Sequence, residues 1–220
     1  MGNKKMNETN TIKLYWDESL AVRETMKDKK FMRQIVELTD EVWKTYQKNG
    51  TVYTCGNGGG AGLVANLAAD WGFHPFVSDD KSETFNIPRL KVCNLCADSS
   101  MLTAAANDHG YQNVFVEQIR DVMNKNDLVV AFSGSGNSAN VLSAFEYANS
   151  LGVYTACVSR GDGGKASEIA KINIVIPGTS RFPGQIGKNN NNLHAEDAFV
   201  SITHIITGLL RHRVQDANKK

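Results

Sequence analysis

Three hydroxyl groups, Ser133, Ser135 and Ser138, surround two glycines in the segment FSGSGNSAN, 132–140. An apolar run, 128–132, precedes the segment and reads as a buried strand. A helical pattern through Phe145, Ala148 and Leu151 follows it. A strand that bends this way into a helix turns free backbone N–H groups and the positive end of the helix dipole toward an anion. Glycine lets the backbone come close to that ligand. A phosphate-sized group is the natural occupant, although the same residue types also make an ordinary strand–helix turn.

An earlier segment repeats the layout. The β-type run Thr51–Cys55 leads into Gly56, Asn57, Gly58, Gly59 and Gly60, then into the helical pattern AGLVANLAADW. Two such bends in one chain predict a parallel α/β sheet with its site at the carboxyl ends of the strands. Neither bend is a dinucleotide fingerprint, and no GxxxxGK[ST] occurs, so nucleotide binding is not expected. On the helix after the first bend, Asn66 and Asp70 are four apart and share a face. On the last helix, Asp197 and His204 are seven apart and lie nearly on one face, where Asp197 could orient the imidazole or join a site. A lone helical histidine such as His194 reads as structural.

The elements that must position these groups follow from periodicity. Residues 1–10 are polar and read as a frayed terminus. Helices are predicted over 11–27 and 29–48; in the second, Phe31, Ile35, Leu38, Val42 and Tyr46 form an amphipathic stripe. Strands are predicted at 51–55, 90–95, 128–132, 153–158 and 172–176. Helices are predicted at 60–71, 99–106, 111–123, 137–150, 165–170 and 194–212. The tract 189–192 reads as a flexible polar loop. Strands alternating with helices give a doubly wound, five-stranded parallel sheet preceded by a helical hairpin, 11–49. Residues 11–220 are expected to form one domain.

Composition narrows the classes. The chain has 220 residues and a net charge of +1, so nothing points to nucleic acid or a membrane surface. No apolar run approaches the ~18 residues of a membrane span, and the first residues carry no apolar signal core. Cytoplasm is the expected compartment. The four cysteines agree with it. Cys93 and Cys96 form a CxxC without a second pair and read as small hydrophobes in a buried strand.

The stretches GNGGGAGLVANLAAD (56–70), ADSSMLTAAANDHGYQNVF (97–115), FSGSGNSANV (132–141) and HIITGLL (204–210) resemble the sugar isomerase (SIS) domain family, and most closely its phosphoheptose isomerases. The resemblance spans nearly the whole chain. It implies a flavodoxin-like sheet and a homotetramer with the N-terminal helices between subunits and the site at a subunit interface. It implies isomerisation of sedoheptulose 7-phosphate to a heptose 7-phosphate, or of a related phosphosugar, through a cis-enediol. The sugar phosphate would be held by Asn57, Gly58, Gly59, Asn107, Asp108, Ser133, Gly134, Ser135 and Ser138. Asp70 stands where the family has its glutamate base, and His204 matches the catalytic and metal-binding histidine. Glu196 replaces a glutamine that contacts substrate and metal, and is the third catalytic candidate.

This chain also departs from the family pattern. Asn66 replaces a metal-binding histidine, which weakens the zinc expectation; Asp70, Glu196 and His204 would be the ligands if zinc binds. Gly60 replaces a serine, Gly134 a threonine and His74 an arginine. Lys165, Arg181 and Lys188 could supply charge in compensation but read as solvated. Clustered changes of this kind leave two alternatives open: a non-catalytic phosphosugar-binding or protein-assembly module, or an isomerase of a different anionic sugar.

Overall fold

The computed structural model describes residues 7–78, 80, 87–185 and 190–218. Helix α1 (Glu8–Thr25) begins at Asn7, whose side chain accepts from the Asn10 N–H at 2.9 Å. That cap makes residues 8–10, expected to be frayed, the first helical turn. Helix α2 (Lys29–Gln47) is capped by Asp28 and buries Phe31, Ile35, Leu38 and Val42 along one stripe, as the periodicity predicts.

Among the described residues five strands follow: β1 (Thr51–Gly56), β2 (Lys91–Asn94), β3 (Leu128–Phe132), β4 (Tyr154–Arg160) and β5 (Ile172–Ile176). All pair in parallel, in the order β2-β1-β3-β4-β5. This is the flavodoxin-like doubly wound arrangement. The connecting helices are α3 (Gly59–Gly72), α4 (Ser99–His109), α5 (Val116–Ile119), α6 (Ala139–Ser150) and α7 (Ala166–Ile169); α8 (Asn192–Asn218) closes the chain.

Alternate strand residues feed two cores. Val52, Leu128, Val130, Phe132, Val158 and Ile174 pack under α2, α3 and α8. Tyr53, Cys55, Val129, Ala131 and Cys157 pack under α4–α7. Burial of Cys157 raises its thiol pKa to about 12, as expected of an inert core cysteine. No helix among the described residues is long and apolar enough to cross a membrane.

Several expectations are corrected. The helix predicted over 111–123 is a 3₁₀ turn, Tyr111–Asn113, and then the short α5. Gly110, at φ 83°, ends α4, and Asp121, at φ 62°, stands just past α5. β2 is an edge strand, and Cys93 on it is exposed rather than core. The asparagines 190–192, expected to be a flexible loop, are tied down. Asn190 bonds Ser180 in both directions, Asn191 is buried and donates to the Pro177 carbonyl, and Asn192 opens α8. Residue 189 of that tract and Lys188 lie outside the described residues.

Candidate active site

Gly56 pairs with Phe132 at the ends of β1 and β3, so the two bends leave the sheet side by side. The strand order reverses at this pair, which is where open α/β sheets form their binding crevice. The two bends are tied together. Asn57 Nδ2 donates to Asn140 Oδ1 and Asn140 Nδ2 donates to Asn57 Oδ1, both at 2.9 Å. Tyr111 Oη–H adds a bond to Asn57 Oδ1 at 2.9 Å. Gly58 caps α3 at φ 55°, ψ −121°, a conformation open only to glycine.

The serine bend keeps donors in reserve. Its Ser133 and Gly136 N–H groups bond the Val158 and Ser133 carbonyls. The N–H groups of Gly134, Ser135 and Ser138 have no partner among the described residues. Ser138 is the N-cap of α6 but makes no side-chain cap bond; its hydroxyl is paired with that of Ser133 at 3.1 Å. The first turn of α6 is thus open to an anion.

α8 runs past both bends. Its first residues put Glu196 against Gly59, where a Cβ would lie 3.0 Å from Oε1. Asn192 Nδ2 donates to Glu196 Oε1 at 2.6 Å, and Arg160 Nε donates to Asn192 Oδ1 at 3.2 Å. Burial lowers the Arg160 pKa, and the Glu196 carboxylate opposes that shift. Sequence reasoning missed Arg160, Asn192, Asn140 and Tyr111. Arg160 ends β4 on the crevice side of the sheet, two residues beyond the strand predicted at 153–158. At Gly60, a Cβ would lie 2.9 Å from Phe132 Cδ1, so that ring fills the space a side chain there would need.

Asp70 and His204 come together lower on the same seam. Trp71, buried on α3, donates its indole N–H to the Thr203 carbonyl of α8 at 3.2 Å. That bond sets Asp70 beside His204, with Oδ2 to Nε2 at 3.4 Å. Asn66 Nδ2 donates to the same Oδ2 at 2.8 Å, and His74 Nε2 stands 3.7 Å from Oδ1. Asp70 is only 8% exposed, whereas the side chain of His204 is 60% exposed. The carboxylate is therefore held and the imidazole faces outward.

Other candidates fall elsewhere. Glu196 precedes His204 by eight residues, roughly 12 Å along α8, so it belongs to the bends and not to the pair within one chain. Asp197 accepts from Tyr15 Oη–H at 2.5 Å on α1, and so is engaged away from His204. His194 is buried against Glu18 and Ser180, the structural role expected of it. Asn107 and Asp108 are exposed at the end of α4, where Asn107 Nδ2 bonds Asp108 Oδ1 at 2.7 Å; among the described residues no hydrogen bond links them to either bend. Lys165 and Arg181 are exposed.

Comparison with known proteins decides the family. The SIS domain model matches residues 14–159. This chain belongs to the SIS domain family. Among its relatives, a phosphoheptose isomerase of Helicobacter pylori (strain P12) is 34% identical over 167 residues, covering 73% of this chain and 80% of that one. Phosphoheptose isomerase 2 of Campylobacter jejuni is 29% identical over 209 residues, covering 94% of each. The solved phosphoheptose isomerase GmhA from Neisseria gonorrhoeae superposes with a TM-score of 0.77 over 93% of this chain and 98% of that one, at 22% identity, and shares the fold.

Asn66 does not fit the zinc site that the SIS resemblance implies. A carboxylate only accepts, so Asn66 must turn its NH₂ toward Asp70, and its amide cannot replace an imidazole ligand. Among the described residues no three His, Cys, Asp or Glu side chains are grouped to hold a metal ion.

Proposed function

We propose that this SIS protein is a phosphoheptose isomerase, interconverting sedoheptulose 7-phosphate and a heptose 7-phosphate. The reading is supported by relatives that carry that name at 34% and 36% identity over most of their length. The observation that carries the chemistry is the Asp70–His204 pair, a held carboxylate 3.4 Å from an exposed imidazole.

Aldose–ketose isomerisation needs one base at carbon and one acid–base group at oxygen. In this reading the phosphate sits on the open N–H groups of the 133–138 bend, and the Asn57–Gly59 bend takes sugar hydroxyls. Asp70 removes the proton from one of the two reacting carbons and returns it to the other. His204 moves the hydroxyl proton, so the cis-enediol never carries a full charge on oxygen. Asn66 donates to the Asp70 oxygen that faces His204 and so fixes the direction of the carboxylate. Asp70 is one methylene shorter than glutamate, so the substrate must lie closer to α3.

Within one chain the pair lies about two helical turns from Glu196 and the bends. We therefore read the complete site as shared: the bends and Glu196 of one copy face the Asp70–His204 pair of another. Supporting this, α1 exposes Ile12, Trp16 and Leu20 at four-residue spacing. Beside it, Met32, Val36 and Ile205 line an apolar groove of about 390 Å³ between α1, α2 and α8. A homotetramer in the cytoplasm is the assembly this reading expects, with 11–220 as its folding unit. ³¹P NMR of sedoheptulose 7-phosphate with the purified full chain tests the activity: the aldose phosphate should accumulate, and an unchanged spectrum overturns the reading.

A further inference from the structure

Gly134 and Arg160 share one space. The Arg160 N–H donates to the Gly134 carbonyl at 3.1 Å. A Cβ built on Gly134 would lie 3.5 Å from Arg160 Nε and 2.6 Å from Asn192 Oδ1. At the second distance any side chain at position 134 would push the Asn192 amide aside, and with it the acceptor that holds Arg160 Nε. Nε–H donates to Asn192 Oδ1 at 3.2 Å, and Asn192 is anchored in turn by Glu196. The two terminal nitrogens of Arg160 have no hydrogen-bond partner among the described residues. A planar fork of donors is thus fixed at one end and open at the other, next to a bend whose own N–H groups are open. Guanidinium matches two phosphate oxygens at once, which an ammonium does not.

We propose that Arg160 is the cationic anchor for the substrate's phosphate at the 133–138 bend, admitted there by the absence of a side chain at Gly134. The proposal rests on the phosphosugar reading above and names the group that holds the anion. It also accounts for the hydroxyl donors missing at positions 60 and 134: one permanent charge stands in for both. Glu196 does not compete for the guanidinium, because Asn192 stands between them.

The test uses the full chain. Binding of inorganic phosphate is measured by calorimetry, and kcat and KM with sedoheptulose 7-phosphate, for wild type, Arg160→Met, Arg160→Lys and Gly134→Ala. Arg160→Met should weaken phosphate binding and raise KM by about ten- to a hundredfold, the size of a lost charge-assisted contact, with kcat within about threefold. Arg160→Lys should recover part of the loss. Gly134→Ala leaves Arg160 in the chain but displaces Asn192, and should raise KM in the same direction; it carries the test if Arg160→Met does not fold. Unchanged phosphate affinity and KM in both variants overturn the proposal. So does a fall in kcat alone, which would make Arg160 a positioning residue acting on Glu196 through Asn192. Wild type that binds phosphate through Arg160 yet converts no sugar phosphate supports the proposal and overturns the isomerase reading.

Discussion

The Trp71 indole N–H and the Thr203 carbonyl, 3.2 Å apart, lock α3 to α8 one residue away from Asp70 and His204. The geometry of the acid–imidazole pair thus depends on a buried bond that touches neither group. Trp71→Phe keeps most of the ring but removes the donor. The lost bond and the space left by the smaller ring should together cost about 2–4 kcal/mol in urea unfolding, and kcat should fall by roughly tenfold to a hundredfold, because a misplacement of about 1 Å is enough to do so. A kcat equal to wild type would show that the register does not need this bond.

The reciprocal amide pair of Asn57 and Asn140 predicts a different pattern. Asn140 is buried, and its Oδ1 also accepts from the Val141 N–H at 3.0 Å. Asn140→Leu strands the Asn57 amide and that N–H. A loss of about 1–3 kcal/mol in denaturant unfolding is expected, with a raised KM because the bends lose their tie. A stability change below about 0.5 kcal/mol, within the range of an ordinary surface substitution, would contradict this role.

Glu18 sets an acid limit on stability. Burial pushes its carboxyl up, but bonds from Ser180 Oγ–H, the Arg181 N–H and His194 outweigh burial and hold it below its ordinary value of 4.5. The unfolded chain therefore binds the proton at higher pH than the folded one. The contribution is complete above 4.5 and is lost as pH falls through the lower folded value. Glu18→Gln should be less stable than wild type at neutral pH, and the gap should narrow below that point. Urea midpoints across the acid range read it; a gap independent of pH would contradict the assignment.

Metal removal separates this chain from the zinc-holding family pattern. Asn66 is committed to Asp70 at 2.8 Å. Activity after dialysis against a strong chelator should stay within about twofold, since the amide at Asn66 faces Asp70 and offers an ion no imidazole. Loss of activity that added zinc restores would show that a donor set built from more than one chain binds the ion.

The fold was legible because its signals are local. Apolar runs bounded by Gly-rich bends gave five strands, and four-residue periodicity gave the stripe of α2. The stretch 111–123 was misread because its apolar residues fit a helix, while the breaks depend on backbone angles at Gly110 and Asp121. Cys93 reads as core in the sequence because a short apolar run does not reveal which strand lies at the edge. At the site, both bends were readable from the residues, and Asp70 and His204 only through the SIS resemblance. Arg160 was not, because its importance comes from the space above Gly134, which only the folded sheet brings to it. Asp197 was misassigned to His204 because helical spacing cannot see Tyr15 of α1, which takes its carboxylate.

The most direct measurement is NMR of sedoheptulose 7-phosphate turnover in D₂O by wild type and Asp70→Asn. If Asp70 takes the proton from carbon and a cis-enediol forms, the proton it holds can exchange with solvent before it is returned, so wild type should put some solvent deuterium on carbon in the heptose 7-phosphate. Asp70→Asn, checked for folding by its urea midpoint, should then form product at least about a hundredfold more slowly. An Asp70→Asn protein as fast as wild type, or a wild type that forms no product, would contradict it.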